Sequence, residues 1–497
     1  MVEYSVQHVL DSSGFTSYQK WHLMFTQYAS MVCGMHTFVM VFLVLEPLVV
    51  CRNPDSPLCE TELNLHQYCS ATIEEKKQYA IVSITQLSEF FGFDCSTYWN
   101  ISLIGVTYFI GSSFGTLFLG GLADKFGRKF VFLWSNIFLV VLSLASVFPT
   151  NFWAFLPFRL AHGAMSGALF LTGFIYETEL LPTYMNSVVG CLNQAAFAVG
   201  YMFLALGAYL WPAWSDVCLI PALFSLPLIP WTIFRAEESP QWHASKNDVD
   251  GARNALKNVI AGSPFVTQLN EGRIVPQWTG AGKAPFYIVC STKALFLTFL
   301  RMSLLWIFTT CCYYGLSTSA EYIGGSVYVN TAVLAFMEIP AQFLAEWASQ
   351  AKGHKNAVTL LMLAASFSCC GFLTPFSFLA KGSVLAAQLC ATAGFTVIYI
   401  YAAEVYPTEA RSICIGATSS FGRIGAMSSM SIRRAGLINA NIPVMCWGLC
   451  GLGSSVVAYN LPDTTGMKPP ETVEEFCHRF GGAAAEEANE EQTKLTV

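Results

Sequence analysis

Charged side chains are what this sequence is short of. Asp, Glu, Lys and Arg supply 12% of its 497 residues, about half the share usual in a soluble domain, while 54% of residues are hydrophobic. A chain so poor in charge cannot clothe itself in a polar surface, so water is not its main solvent. The 26 basic residues are outnumbered by 32 acids and do not cluster, which leaves nucleic acid binding without an electrostatic basis. Catalytic patterns are scarce as well. There is no H-E-x-x-H, and Gly280-Ala281-Gly282-Lys283 has neither the upstream Gly nor the following hydroxyl of a phosphate-binding loop. An enzyme is therefore not expected, and no cofactor is implied beyond a coupling ion, Na+ or H+. The 17 cysteines are too dispersed for a metal site.

Apolar runs dominate what is present. They lie near 21–45, 100–121, 130–148, 152–178, 187–210, 216–234, 292–315, 327–348, 357–378, 383–402, 412–432 and 436–459. Each is about long enough to cross a hydrocarbon core of roughly 30 Å, and lipid forces such a segment to be helical because nothing there satisfies an open backbone. The fold class is thus an all-α membrane protein with twelve transmembrane helices in two six-helix bundles. The first run is too long for the core of a signal peptide and ends at Glu46-Pro47 without a small-residue cleavage site, so it should stay in the mature chain. With both termini cytoplasmic, 17 of the 26 basic residues fall inside and six outside; Arg159, Arg301 and Arg423 remain within spans. That asymmetry obeys the positive-inside rule.

The expected organisation is a cytoplasmic N-terminus (1–20), an N-terminal six-helix bundle (21–234) with a large external loop (46–98), a polar cytoplasmic loop (235–290), a C-terminal bundle (291–460) and an acidic cytoplasmic tail (461–497). A weak amphipathic pattern marks Asp250 to Ile260 in the central loop. Cys51, Cys59, Cys69 and Cys95 share the external loop, an even number in an oxidising compartment, and so suggest two disulfides among three open pairings. The sequon Asn100-Ile101-Ser102 sits too near the bilayer for glycosylation to be expected. Leu495-Thr496-Val497 could dock a PDZ domain as an added strand, a weak signal from so short a tail.

Between the second and third runs the sequence reads Gly120-Gly121-Leu122-Ala123-Asp124-Lys125-Phe126-Gly127-Arg128-Lys129. An acid and several bases turned by glycines at a helix junction form a charge relay that holds in one conformation and breaks in another; a mere topogenic anchor would need neither the Asp nor the glycines. This stretch resembles the signature loop of the major facilitator superfamily. The corresponding second-half loop, Gln350-Ala351-Lys352-Gly353-His354-Lys355, lacks the Asp and both Arg positions, so only one half is expected to keep the full latch. Arg159-Leu160-Ala161-His162-Gly163 is similar to the superfamily's R-x-x-Q-G element, with His for Gln. A buried Arg in lipid needs a partner, and the bland expectation pairs Arg159 with Glu177 or Glu179. A part for Arg159 in coupling, with His162 titrating near neutrality, is the sharper one.

Four further stretches resemble the organic cation, organic anion and carnitine transporter family (solute carrier 22-like) within that superfamily. They are Glu238-Ser239-Pro240-Gln241-Trp242, Glu338-Ile339-Pro340-Ala341, the run Tyr399 to Thr408 ending at Arg411 and containing Ala403-Glu404-Val405-Tyr406-Pro407-Thr408, and Leu461-Pro462-Asp463-Thr464-Thr465-Gly466 with Pro470-Glu471-Thr472. The resemblance covers about 20 to 475. It implies alternating-access transport of small organic ions across a lipid bilayer, in the plasma membrane, with Gly120, Asp124, Gly127, Arg128, Lys129, Arg159, Glu179, Glu404 and Arg411 in gating. It also implies a substrate cavity lined by Arg423, Glu338, Trp306, Tyr313, Gln194, Thr396, Tyr399 and Phe170. Arg423 falls where the family has Asp in cation carriers and Arg in anion and carnitine-type carriers. With Glu338 it suits a zwitterion such as a carnitine-like betaine, aromatic faces holding the ammonium end. The plain alternative is that Arg423 and Glu338 pair with each other or with local carbonyls. Departures exist: Thr183, Tyr184, Met185, Asn186 and Ser187 replace a basic cluster, and Ser215-Asp216 replaces Trp-Arg. They keep open an organic cation carrier with different coupling, or a non-transporting membrane sensor or scaffold.

Overall fold

The computed structural model describes residues 3–45, 48–51, 68–69, 79–82, 87–93, 97–266, 273–274, 286–290, 292–374, 376–408, 410–439, 441–467 and 469–480. Among these, twelve long helical segments follow the apolar runs: α1 (Ser17–Leu43), α2 (Asn100–Phe126), α3 (Arg128–Ala145), α4 (Phe152–Thr178), α5 (Asn186–Leu210), α6 (Trp214–Phe234), α7 (Lys293–Ser317), α8 (Val327–Lys352), α9 (His354–Cys370), α10 (Ser377–Val405), α11 (Arg411–Arg433) and α12 (Asn441–Tyr459). Ten of them are long and apolar enough to cross a membrane. The other two, α1 and α11, are diluted by polar side chains; α1 alone buries Gln19, His22, Thr26, Ser30, His36 and Thr37.

Two small ladders amend the all-helical expectation. Glu3–Tyr4 (β1) pairs in parallel with Arg273–Ile274 (β4), and Leu48–Cys51 (β2) pairs antiparallel with Tyr79–Val82 (β3). The expected amphipathic segment is a helix over Val249–Val259, capped by Asp248, which accepts from Gly251 N at 2.9 Å. Of the four external-loop cysteines, Cys69 is disulfide-bonded; Cys59, Cys95 and the side chain of Cys51 lie outside the described residues, as does the tail from 481 on with its PDZ-like end.

The chain divides into two compact units, Met1–Trp278 with Gly324–Phe336, and Thr279–Ile323 with Met337–Val497. Small residues let the helices of each unit touch backbone to backbone, the usual device where lipid removes the hydrophobic drive for association. In the first unit a methyl on Gly111 or Gly115 of α2 would collide with the Leu160 or Ala164 carbonyl of α4, and one on Gly163 would collide with the Tyr108 carbonyl in return. In the second, Gly425 of α11 leaves no room beside the Ile307 carbonyl of α7.

Candidate functional site

In the first unit the signature loop closes around Arg128. Gly127 ends α2 and starts α3 with φ +106°, a region that disfavours side chains, and a methyl there would strike the Glu238 carboxylate. The turn places Arg128 between two acids. Its Nε and Nη2 donate to Glu179 Oε2 and Oε1 at 2.9 and 2.8 Å, its Nη2 lies 3.1 Å from Asp124 Oδ1, and its Nη1 donates to Ala123 O. Glu238 caps α3 by accepting from the backbone N–H groups of Arg128 (2.8 Å) and Lys129 (3.2 Å). Burial pushes the Glu238 carboxyl up from its ordinary range, against the pull of the Ser239, Lys129 and Arg128 N–H donors. Trp242 Nε1 donates to Asp124 O at 3.0 Å, so two motifs 110 residues apart form one cluster. Gly120 leaves space for Leu171. Where the resembling family has a basic cluster, Thr183 instead gives its N–H (2.7 Å) and hydroxyl (3.0 Å) to Asp11 of the helix Val6–Ser13.

The second unit repeats this plan with different residues. Gly353 has φ +75°, and a methyl on it would meet Thr465. His354 follows as Arg128 follows Gly127, and its Nδ1 lies 2.8 Å from Glu404 Oε2; the same oxygen accepts from Thr464 Oγ1 at 2.8 Å. The loop lacks the Asp and both Arg positions, as its sequence shows, yet it holds a contact in which an imidazole stands where the first loop has a guanidinium. Arg411 does not join, its Nη2 donating to Thr408 Oγ1 (3.0 Å) and its Nε to Tyr406 O (3.4 Å).

Arg159 contradicts the bland expectation. It is 2% exposed, yet Glu179 is held by Arg128 and Glu177 accepts from Gln27. Its guanidinium lies over the Tyr108 ring, 5.2 Å from the centroid, and its Nε and Nη2 make no hydrogen bond. The rings of His36 and His162 are 5.6 Å apart, and His162 is held by Ser143 (2.9 Å) and the Phe158 carbonyl (3.1 Å). The 27-residue reach of α4 sets the acids too far along the helix for pairing.

The substrate residues assigned to the second unit converge. Glu338 of α8 is 3% exposed. Its Oε1 accepts from Tyr313 Oη (3.1 Å), Gln388 Nε2 (3.3 Å) and, at the limit, Ser317 Oγ (3.5 Å), and among the described residues no cation pairs with it. Its partner Tyr313 belongs to an aromatic box from α7 and α10. Tyr313 stacks on Phe395 (4.7 Å), Phe395 meets Tyr399 edge-on (5.4 Å), and Tyr399 meets Trp306 edge-on (4.6 Å). Trp306 Nε1 is buried and makes no hydrogen bond. Thr396 donates to Gln342 Oε1 at 3.1 Å. Arg423 of α11 is half-buried beside Gly422, which lies against the Trp306 ring. Its Nη1 donates to Ser419 O (2.9 Å); no ion pair with Glu338 forms among the described residues, so of the plain alternative it is the local-carbonyl contact that is present. Phe170 and Gln194 belong to the first unit, where Phe170 packs edge-on to Phe197 at 5.7 Å. Sequence reasoning missed Phe395, Gln388 and Ser317. Helical spacing held the signal, since Phe395 and Tyr399, like Tyr313 and Ser317, are four residues apart.

A family profile described as the Major Facilitator Superfamily matches residues 75–430. The chain belongs to the Major Facilitator Superfamily. Among curated relatives, "Solute carrier family 22 member 15-like" of Xenopus laevis is 27% identical over 390 residues, covering 76% of this chain and 79% of the relative. "Solute carrier family 22 member 6" of Bos taurus is 24% identical, covering 78% and 72%. The xylose transporter XylE from E. coli, in a partially occluded inward-open conformation, shares the fold with a TM-score of 0.68 at 14% identity, over 91% of this chain and 100% of that one. This superfamily member is accordingly a multi-pass membrane protein and a secondary transporter of the solute carrier 22 type, not an enzyme. Its Gly111-Ser112-Ser113-Phe114-Gly115 stretch has the G-x-S-x-G spacing of a hydrolase elbow, but it lies inside α2, where Ser113 donates to Phe109 O and both glycines pack on α4.

Proposed function

We propose that this transporter carries small zwitterions or anions, carnitine-like betaines foremost, across the plasma membrane by alternating access, with twelve spans and both termini cytoplasmic. The observation that carries the reading is the buried Glu338, which pairs with no cation among the described residues and accepts from Tyr313 of the Trp306–Tyr399–Phe395–Tyr313 box. A carboxylate kept in low dielectric is costly unless it meets a charge of opposite sign, and aromatic faces add roughly 0.5–2 kcal/mol each for a quaternary ammonium. Arg423 supplies the opposite end, because a half-buried guanidinium held by one carbonyl keeps donors free for a carboxylate. A simple organic cation is the second reading, favoured by the Glu338 box taken alone. The external-loop cysteines form two disulfides in the same reading.

Uptake into proteoliposomes tests it, with a betaine, a quaternary ammonium lacking a carboxylate, and an organic anion offered to wild type and three variants. Arg423→Asp should abolish betaine uptake and admit the simple cation. Arg423→Lys should do partial damage, since charge survives but the fork is lost. Glu338→Gln should weaken betaine and cation while sparing the anion. If wild type prefers the simple cation, or Arg423→Asp leaves the order of substrates unchanged, the zwitterion assignment is wrong. If wild type binds these solutes and moves none of them, the protein is a sensor.

A further inference from the structure

Gln388 of α10 holds Glu338 with only one end of its amide. The side chain is fully buried, at 0% exposed. Its Nε2 lies 2.8 Å from Ser317 Oγ, 3.3 Å from Glu338 Oε1 and 3.3 Å from Thr392 Oγ1, which is more acceptors than its N–H bonds can serve. Its Oε1, by contrast, is buried and accepts no hydrogen bond. The amide cannot turn over to share the load. Its oxygen would then face the Glu338 carboxylate and the Ser317 hydroxyl, whose shorter donation goes to Tyr313 O at 2.9 Å. The second unit therefore keeps, one amide away from its buried acid, a carbonyl oxygen with no donor among the described residues.

A buried carbonyl left unpaired costs about 1–3 kcal/mol, and native proteins hold few of them. Tyr313, Ser317 and the Gln388 nitrogen all point their donors at Glu338 Oε1, so the Gln388 oxygen is the acceptor that this network leaves unspent. We propose that Gln388 Oε1 is a specificity-determining acceptor, which selects among the cationic ligands of this site those that carry a hydroxyl on the carbon β to the ammonium nitrogen. The inference rests on Glu338 and its aromatic neighbours being the cationic subsite. A quaternary nitrogen has no hydrogen to offer, so the donor that satisfies the amide oxygen comes from another atom of the ligand. A ligand whose nitrogen rests against the carboxylate needs only a short arm, because the same amide spans the 3.3 Å to Glu338 with its nitrogen. A hydroxyl on the β carbon is such an arm. Charge and aromatic faces cannot make this selection, since a hydroxylated ligand and its deoxy analogue meet both alike. A site that hydrogen-bonds a ligand hydroxyl rejects the analogue without it, because that analogue strands a buried polar group.

Isothermal titration of the purified full-length protein tests it with two matched pairs of ligands. One pair is a betaine, 4-trimethylammonio-butanoate, with and without a 3-hydroxyl. The other has no carboxylate: the 2-hydroxyethyl- and ethyl-trimethylammonium ions. In wild type the hydroxylated member of each pair should bind about tenfold or more tightly than its analogue. Gln388→Met should bring that ratio close to one, chiefly by weakening the hydroxylated member. Tyr313→Phe, which removes a donor from Glu338 and leaves the amide oxygen in place, should weaken both members alike and keep the ratio. A wild-type ratio near one overturns the proposal. So does a ratio that survives Gln388→Met, which would give the hydroxyl to another acceptor, or one that Tyr313→Phe erases, which would make the selection a property of the carboxylate. Should Gln388→Met fail to fold, Gln388→Asn takes its place, because it draws the carbonyl back by one methylene and should lose the ratio likewise. If neither betaine binds while the hydroxylated cation still outbinds its partner, the zwitterion reading fails and the Gln388 acceptor stands; if neither pair binds, both are overturned.

Discussion

Glu179, rather than Asp124, should be the acid on which the first latch depends. Arg128 and Glu179 are 11% and 14% exposed and share two charge-assisted bonds, whereas Asp124 is 45% exposed and meets Arg128 at 3.1 Å. Removing one member of a buried, doubly bonded pair costs about 3–5 kcal/mol, because the other charge stays behind. A singly bonded pair with an exposed partner, as Asp124 is across the Gly127 turn, is worth about 0–1 kcal/mol. If the latch holds in one conformation and opens in the other, Glu179→Gln shifts their ratio by about a hundredfold or more, at 1.4 kcal/mol per decade, and Asp124→Asn by about fivefold at most. Surface-normalised uptake, read beside thermal stability, separates the two. Equal losses in both variants would mean that the bidentate bond is a feature of one frozen arrangement and that the latch has no dominant acid.

Gly127→Ala should destabilise by about 1–3 kcal/mol from backbone strain alone, with a further loss as the methyl displaces Glu238 from the Arg128 and Lys129 amides; a melting temperature within error of wild type would remove the strain argument. Mass spectrometry of unreduced peptides should find Cys69 cross-linked to Cys51, Cys59 or Cys95, and Cys69 recovered as a free thiol would count against the paired loop.

Hydropathy made the helices legible, since a run of about twenty apolar residues in lipid has one conformation open to it. It was less informative for α1 and α11, where polar side chains, the buried Gln19, His22, Thr26 and Ser30 in the one and the half-buried Arg423 in the other, dilute runs that are helical all the same. Asp124 and Arg128 were readable because they are neighbours in sequence. Glu179 as the stronger partner was not, because it lies 51 residues away and only packing of α3 against α4 brings it near. The loss of bases at Thr183 looked like decay, yet Thr183 is a docking point for Asp11, a relation between residues 172 apart. Glu338 and Tyr313 were readable by position, but the Gln388 and Ser317 donors that hold the carboxylate depend on how α7, α8 and α10 rotate about their own axes, which no local pattern records.

The two latch loops differ in which charge sits at the centre, and that difference predicts opposite rankings. Around Gly127 the cation is central, because Arg128 engages Glu179, Asp124 and the Ala123 carbonyl. Around Gly353 the anion is central, because one oxygen of Glu404 takes both His354 Nδ1 and Thr464 Oγ1 at 2.8 Å. Deleting the peripheral partner His354 costs one bond, about 1 kcal/mol net, and leaves Glu404 with Thr464. Deleting Glu404 orphans two donors at once and should cost about 2–3 kcal/mol. Thermal unfolding of Glu404→Ala and His354→Ala should therefore show the larger loss for the acid, while Arg128→Ala should exceed Asp124→Ala in the first loop. The double variant of His354 and Glu404 should be little worse than Glu404→Ala alone, since the second deletion removes a contact already broken. A loss for His354→Ala as large as that for Glu404→Ala would show that the imidazole serves some other contact and that the second loop is not a latch of this design.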